Sequence, residues 1–136
     1  MKHFATLAFA TLLACATAPA LAQDNITTTA VHFTKGASSA TVPGAVKGYD
    51  SARYTLSARA GQTMRVSITG SSNANFNVFA PGDVPGAATA IGSGAVGQDW
   101  NGTLPTNGTY TVQVYQMRAS ARRGQNAAYN ISFGIH

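Results

Sequence analysis

The chain has 136 residues, 45% of them hydrophobic, and a formal net charge of +5 from nine basic residues against four acidic ones. That length supports one domain with its own core, burying about two-thirds of its unfolded surface. The basic balance asks for an anionic partner, but nucleic acid is excluded: the arginines do not interleave with aromatics, no nucleic-acid motif is present, and the chain starts as an export precursor.

Lys2 and His3 precede an apolar run over residues 4–17, which is too short to span a bilayer as a helix. Ala20-Leu21-Ala22 is the small-residue pattern of a signal-peptidase site. The expected signal peptide is residues 1–22, leaving residues 23–136 as a single domain, periplasmic and without stable membrane insertion. A rival reading takes Leu12-Leu13-Ala14-Cys15 as a lipoprotein box, for which Leu13 is a poor fit. Cleavage after Ala22 discards Cys15, the only cysteine, so the mature domain has no disulfide and relies on its core.

Residues 23–29 read as a polar lead-in. Residues 30–34 alternate, with Val31 and Phe33 opposed to a solvent-facing His32, and predict the first strand. A turn-rich stretch over 35–40 leads to residues 42–47, where Pro43 restricts the segment to a short or edge strand. Gly48-Tyr49-Asp50 makes a turn, so Tyr49 is exposed. Residues 54–58 predict a strand with Tyr54, Leu56 and Ala58 inward. Residues 64–68 predict another with Met64, Val66 and Ile68 inward, and the turn at 60–62 suggests that the two form a hairpin.

Residues 75–80 form a strand ended by Pro81-Gly82-Asp83. The Gly-rich stretch 84–98 is long for a loop in a compact domain, so 88–91 is expected as a short edge strand, with another at 99–104. Asn107-Gly108 turns the chain into an alternating strand at 110–114. A loop carrying Arg118, Arg122 and Arg123 follows, and residues 129–135 make the last strand. No segment shows a helical period beyond the leader. The fold class is therefore all-β: a single antiparallel β-sandwich, jelly-roll-like, of about eight strands.

Catalytic chemistry has little to use. Asp24, Asp50, Asp83 and Asp99 are the only acids, and their spacing pairs none of them as a glycosidase requires. No nucleophile elbow occurs, and no cluster of His, Cys and acids suggests a metal. A non-enzyme without cofactor or metal is expected. Gly92-Ser93-Gly94-Ala95-Val96-Gly97 matches a dinucleotide fingerprint, but no helix pattern follows, so it reads as a flexible loop. Four N-x-[ST] triplets begin at Asn25, Asn101, Asn107 and Asn130; Asn-Gly turns explain two of them, and Asn130 lies in a strand. Trp100 reads as packing, with a sugar-stacking platform as the alternative. The arginine loop is the densest charge in the chain. It is either a binding tip on a rigid scaffold or a solvated hairpin end that keeps the protein soluble.

A set of motifs, in order along the chain, resembles the bacterial periplasmic inhibitors of g-type lysozyme. These are Val31-x-Phe33-x-Lys35-Gly36-x-Ser38-Ser39-Ala40, Lys47-Gly48-Tyr49-Asp50, Tyr54-Thr55, Gly61-Gln62 and Val66-Ser67-Ile68. Pro81-Gly82, Leu104-Pro105-x-x-Gly108-x-Tyr110, Val114-x-Gln116-x-Arg118-x-x-Ala121-Arg122 and Tyr129-Asn130 follow. The region 84–100 departs most from that pattern. More distantly, the turn leading into the Asp50-x-x-x-Tyr54 strand, the Ala58-x-x-Gly61-Gln62 turn and the Gly108-x-Tyr110 strand resemble bacterial pre-peptidase C-terminal domains, which generally lack the Arg118-x-x-x-Arg122 feature.

The resemblance implies a protein partner, g-type lysozyme, and a loop inserted into its cleft. It implies Arg118 and Arg122 as the central contacts, Tyr49, Asp50 and Tyr115 around them, and Arg123 as a steering charge. The competing function is a small secreted module that binds carbohydrate or cell wall through Trp100 and tyrosines.

Overall fold

The computed structural model describes residues 24–136. The expected signal peptide and the Cys15 alternative lie outside the described residues. Nine strands follow in order: β1 (Ile26–Ala30), β2 (Ser39–Lys47), β3 (Ser51–Ala58), β4 (Thr63–Gly70), β5 (Ala74–Phe79), β6 (Gly92–Ala95), β7 (Trp100–Thr103), β8 (Gly108–Gln116) and β9 (Asn126–Ile135). One short helix, α1 (Arg118–Arg122), joins β8 to β9.

The strands form two sheets, ordered β1-β3-β8-β5-β6 and β2-β9-β4-β7. Leaving β1 aside, the chain from β2 to β9 crosses between sheets at every step except β5 to β6, which is the strand order of a jelly roll. The pairings are antiparallel apart from β1, which runs parallel to β3.

Alternation produces the core. Tyr110, Val112 and Val114 of β8 face inward at 0% exposure, opposite Val66 and Ile68 of β4 and Ile131 and Phe133 of β9. Leu56, Met64, Phe76 and Val78 complete the interior. Each such side chain contributes roughly 1.5–3 kcal/mol on burial. β2 lies at an edge, as Pro43 requires.

Gly44 in β2 leaves room for Tyr129 and Tyr54, whose hydroxyls share a hydrogen bond of 2.7 Å that a Cβ there would obstruct. Burial first, then that bond, raises the Tyr129 hydroxyl well above its ordinary pKa.

Four expectations need correction. The first strand is Ile26–Ala30, which overlaps the stretch read as a lead-in and shares only Ala30 with the expected strand at 30–34. All five of its side chains are exposed, so it carries no alternation; its pairing with β3 is made by backbone. Val31 and Phe33 pack against the core without joining a strand.

The segments 54–58 and 64–68 are not a hairpin: β3 pairs β1 and β8, while β4 pairs β7 and β9 in the other sheet. Both strands point apolar residues at the same core from opposite sides, and alternation does not distinguish that from direct pairing.

The short strand expected at 88–91 lies instead at Gly92–Ala95, within the glycine motif read as a flexible loop. It pairs with β5, and its glycines serve close approach: a Cβ at Gly92 would meet the Trp100 ring, and one at Gly94 the Phe76 ring. Trp100 is half-buried and packs on the core. Finally, the arginine loop contains a helix, whose five residues are too few to show a period in sequence.

Candidate functional site

Three connections meet at one end of the sandwich. They are the β2–β3 turn at 48–50, the β4–β5 turn at 71–73, and the β8–β9 connection containing α1. Register brings them together: Lys47 pairs Asn126, Gly70 pairs Tyr129, and Ala74 pairs Gln116.

The helix is built locally. Met117 precedes it in an extended conformation, and its carbonyl accepts from the N–H of Ala121 at 2.9 Å. At the other end Gly124 adopts φ +64. The Gly124 N–H donates to the Ala121 carbonyl at 3.0 Å, and the Gln125 N–H donates to the Ser120 carbonyl at 3.3 Å. This pair of bonds is a Schellman closure, which needs the left-handed residue that glycine supplies. Arg122 sits in the last turn, where a cation meets the negative end of the helix.

Ser120 and Ala121 are buried, so the opposite side of the turn faces out. Arg118 and Arg122, four residues apart, share that outer side. Arg123 follows as the helix closes, and all three arginines are exposed. Among the described residues the one salt bridge is Arg65–Asp99 at 2.8 Å, elsewhere on the fold. The three arginine charges are therefore not neutralised by neighbours within that set.

One buried amide, Gln116, and two half-buried ones, Asn73 and Gln125, pin the helix. Ser120 Oγ donates to Asn73 Oδ1 at 3.2 Å, and Asn73 Nδ2 donates to Gln125 Oε1 at 2.7 Å. Gln116 Nε2 donates to the Gln125 carbonyl at 2.6 Å and the Val46 carbonyl at 3.2 Å. The Gly48 N–H also donates to the Gln125 carbonyl, at 2.9 Å. Gly48 has φ +57 and packs beside the Ala121 carbonyl. The turn bearing Tyr49 and the helix bearing the arginines are thus tied through one carbonyl and one buried glutamine.

Tyr49 is 51% exposed, as its turn position predicts. Asp50 Oδ1 accepts from the Asn25 N–H at 3.0 Å, so this carboxylate also anchors the start of β1. Tyr115 is half-buried on the outer face of the five-stranded sheet. Tyr49, Asp50 and Tyr115 line one open cleft of about 310 Å³ on that face, with Gln116 also in its lining. The six candidate residues therefore gather at one end of the molecule, divided between the helix and this cleft.

Sequence reasoning missed Gln116, Asn73, Ser120 and Gln125 as supports. One signal was available: Gln116 continues the inward register of Tyr110, Val112 and Val114, and a polar residue in that register needs buried partners. No group of three or more metal-ligating side chains occurs among the described residues.

Comparison with known proteins adds relatives to this geometry. Residues 50–116 match the bacterial pre-peptidase C-terminal domain. An Escherichia coli (strain K12) protein named as an inhibitor of g-type lysozyme is 35% identical over 105 residues, covering 77% of this chain and 78% of the relative. The crystal structure of an Aeromonas hydrophila periplasmic inhibitor of g-type lysozyme superposes with a TM-score of 0.82 at 56% identity, covering 84% of this chain and 100% of that one. A Salmonella Typhimurium periplasmic inhibitor of g-type lysozyme gives a TM-score of 0.65 at 30% identity, covering 81% and 98%. The pre-peptidase C-terminal domain of a Bacillus anthracis collagenase, at 14% identity and a TM-score of 0.54 over 82% and 96%, shares the fold alone.

Proposed function

Because the chain belongs to the family of bacterial inhibitors of g-type lysozyme, we propose that it is a periplasmic protein that inhibits g-type lysozyme by lodging the α1 loop in the enzyme's substrate cleft, thereby protecting peptidoglycan. It acts by binding and not by catalysis. The observation that carries the loop reading is the pinned helical turn, which presents Arg118 and Arg122 on one outer side and is held from beneath by Asn73 and Gln116.

Lysozyme clefts hold carboxylates that act as acid and electrostatic stabiliser. Arginine offers such groups a planar two-donor fork that lysine does not. The attraction between two such charges in contact is about 4 kcal/mol at an effective dielectric near 20, before desolvation is subtracted. Packing must therefore supply part of the affinity, and Tyr49 and Tyr115 are the aromatic anchors for it. Arg123 acts mainly on the rate of encounter. Asp50 holds its turn against Asn25 and borders the contact.

The alternative, a carbohydrate-binding module using Trp100, finds that ring half-buried against Gly92 and Gly102. The test is clearing of peptidoglycan-rich cells by g-, c- and i-type lysozymes with and without the mature protein. Protection against the g-type enzyme is expected. Unchanged clearing by the g-type enzyme at saturating protein would overturn the reading.

A further inference from the structure

The α1 end of the sandwich exposes apolar groups as well as arginines. Among the described residues five large apolar side chains are exposed: Ile26, Tyr49, Val84, Ile91 and Met117. Three of them gather at this end. Tyr49 sits in the β2–β3 turn, and Met117 stands between β8 and α1. Ile26 opens β1 next to Asn25, whose N–H donates to Asp50 Oδ1 of that same turn at 3.0 Å. Ile26 and Tyr49 line one cleft. Val84 and Ile91 follow β5 away from this end, beyond the place where Pro81 lies against Gly108 at the start of β8.

Met117 is the most exposed of the five, at 58%. Its backbone is fixed: the conformation is extended, and the carbonyl accepts from the N–H groups of Ser120 and Ala121 at 3.1 and 2.9 Å. Its side chain makes no bond to the helix it precedes. Serine, threonine, aspartate or asparagine at that position would stabilise the turn. Neither packing nor capping therefore accounts for a methionine here. A single exposed apolar residue needs no explanation, but three at the end that carries the arginines form a surface that gains when a partner covers it.

Enzyme clefts are lined mainly by apolar and aromatic side chains, with a few polar groups among them. The arginines answer the polar groups, and charge pairs serve specificity and rate of encounter more than affinity. Methionine is unbranched and polarisable, so it fits an irregular apolar surface and makes favourable contacts with aromatic rings.

We propose that Met117 is a contact residue of the inhibitory tip, packing on apolar and aromatic surface beside the carboxylates of the g-type lysozyme cleft, with Tyr49 and Ile26 extending that contact. It rests on the inhibitor reading above for the partner's identity. The tip then offers the enzyme an apolar group and a guanidinium from adjacent residues, Met117 and Arg118, on one pinned support.

Two measurements test this. The first compares Met117→Ser, Met117→Leu and Val84→Ala with the parent, by inhibition of g-type lysozyme and by thermal melts. Met117→Ser supplies a capping hydroxyl and removes the apolar group. It is expected to melt no lower than the parent and to inhibit at least tenfold more weakly, by the same factor at low and high salt, because the lost contact is not ionic. Met117→Leu keeps the apolar volume and is expected to inhibit within threefold of the parent. Val84→Ala is expected to inhibit like the parent. Inhibition by Met117→Ser within twofold of the parent overturns the proposal. So does a Met117→Leu variant as weak as Met117→Ser, or a defect that disappears at high salt.

The second uses the parent chain, and decides the matter if Met117→Ser melts low. Met64 is the other methionine of residues 24–136 and is 0% exposed, so mild hydrogen peroxide reaches Met117 first. The thioether takes one oxygen atom from peroxide, which leaves as water, and becomes a polar sulfoxide. Mass spectrometry should place that oxygen on Met117. Inhibition should fall at least tenfold and return after treatment with methionine sulfoxide reductase, while Met117→Leu given the same peroxide should keep its inhibition. Undiminished inhibition by protein oxidised at Met117, or an equal loss in peroxide-treated Met117→Leu, overturns the proposal while leaving the inhibitor reading intact. A parent that leaves g-type lysozyme uninhibited refutes that reading and this contact with it.

Discussion

Replacing Gln116 with leucine separates the stability of the sandwich from the rigidity of its arginine tip. The side chain is 6% exposed, and its Nε2 makes two close bonds, to the carbonyls of Gln125 and Val46. At about 1 kcal/mol net for each bond, their loss costs roughly 2 kcal/mol. The Gln125 carbonyl keeps the Gly48 N–H as a donor, so it is not stranded. Leucine also removes the unpartnered Oε1, which returns at least ~1 kcal/mol. The net cost to folding is therefore about 1 kcal/mol, or roughly 3–6 °C in Tm for a domain of this size. The tie between the Tyr49 turn and α1 is weakened more than the fold is, because only the Gly48 bond still joins them at that carbonyl. Inhibition is expected to weaken at least tenfold, about 1.4 kcal/mol, because the loop must now be ordered on binding. The assays are a thermal melt, an inhibition titration against g-type lysozyme, and amide exchange at Gly48 and Gln125, which should quicken. A variant that melts as calculated yet inhibits within twofold of the parent refutes the claim that this glutamine pre-organises the site.

Arg118→Ala and Arg122→Ala should each weaken lysozyme binding by roughly 2–5 kcal/mol, mainly through faster dissociation, because each strands a carboxylate in the interface. Arg123→Ala should lower the association rate and its salt dependence. All three exposed sites should leave stability within about 0.5 kcal/mol by melting. Gly92→Ala drives a Cβ into the Trp100 ring and should destabilise by roughly 1–3 kcal/mol, with a shift in tryptophan fluorescence; a neutral melt would refute that packing. Tyr129 has a folded pKa raised above its ordinary 10.0, so the folded state keeps a proton that the unfolded state releases above that pH. Its contribution is fully present below pH 10.0 and is lost as pH rises further, so stability should fall on the alkaline side. Urea titrations across that range should show a shallower fall for Tyr129→Phe.

Alternation marked which residues face the core. Tyr54, Leu56, Met64, Val66, Ile68, Tyr110, Val112 and Val114 are all buried, because a two-residue period follows from strand geometry alone. Pro43 marked an edge for an equally local reason, its missing donor. The turn at Gly48 and the cluster of three arginines were legible in the same way. Partner choice was not legible. Whether β3 pairs with β4 or faces it across the core depends on contacts between residues distant in sequence, and both arrangements bury the same side chains. β1 was invisible because backbone pairing alone places it. The supports of the site were hidden likewise: Asn73, Gln116, Ser120 and Gln125 lie in separate segments, and only the folded register brings their amides and hydroxyl within bonding distance. Local pattern determined that a basic tip exists. Long-range pairing of strands determined that the tip, one turn of helix, is held from beneath by distant segments, with an acidic and aromatic cleft at the same end.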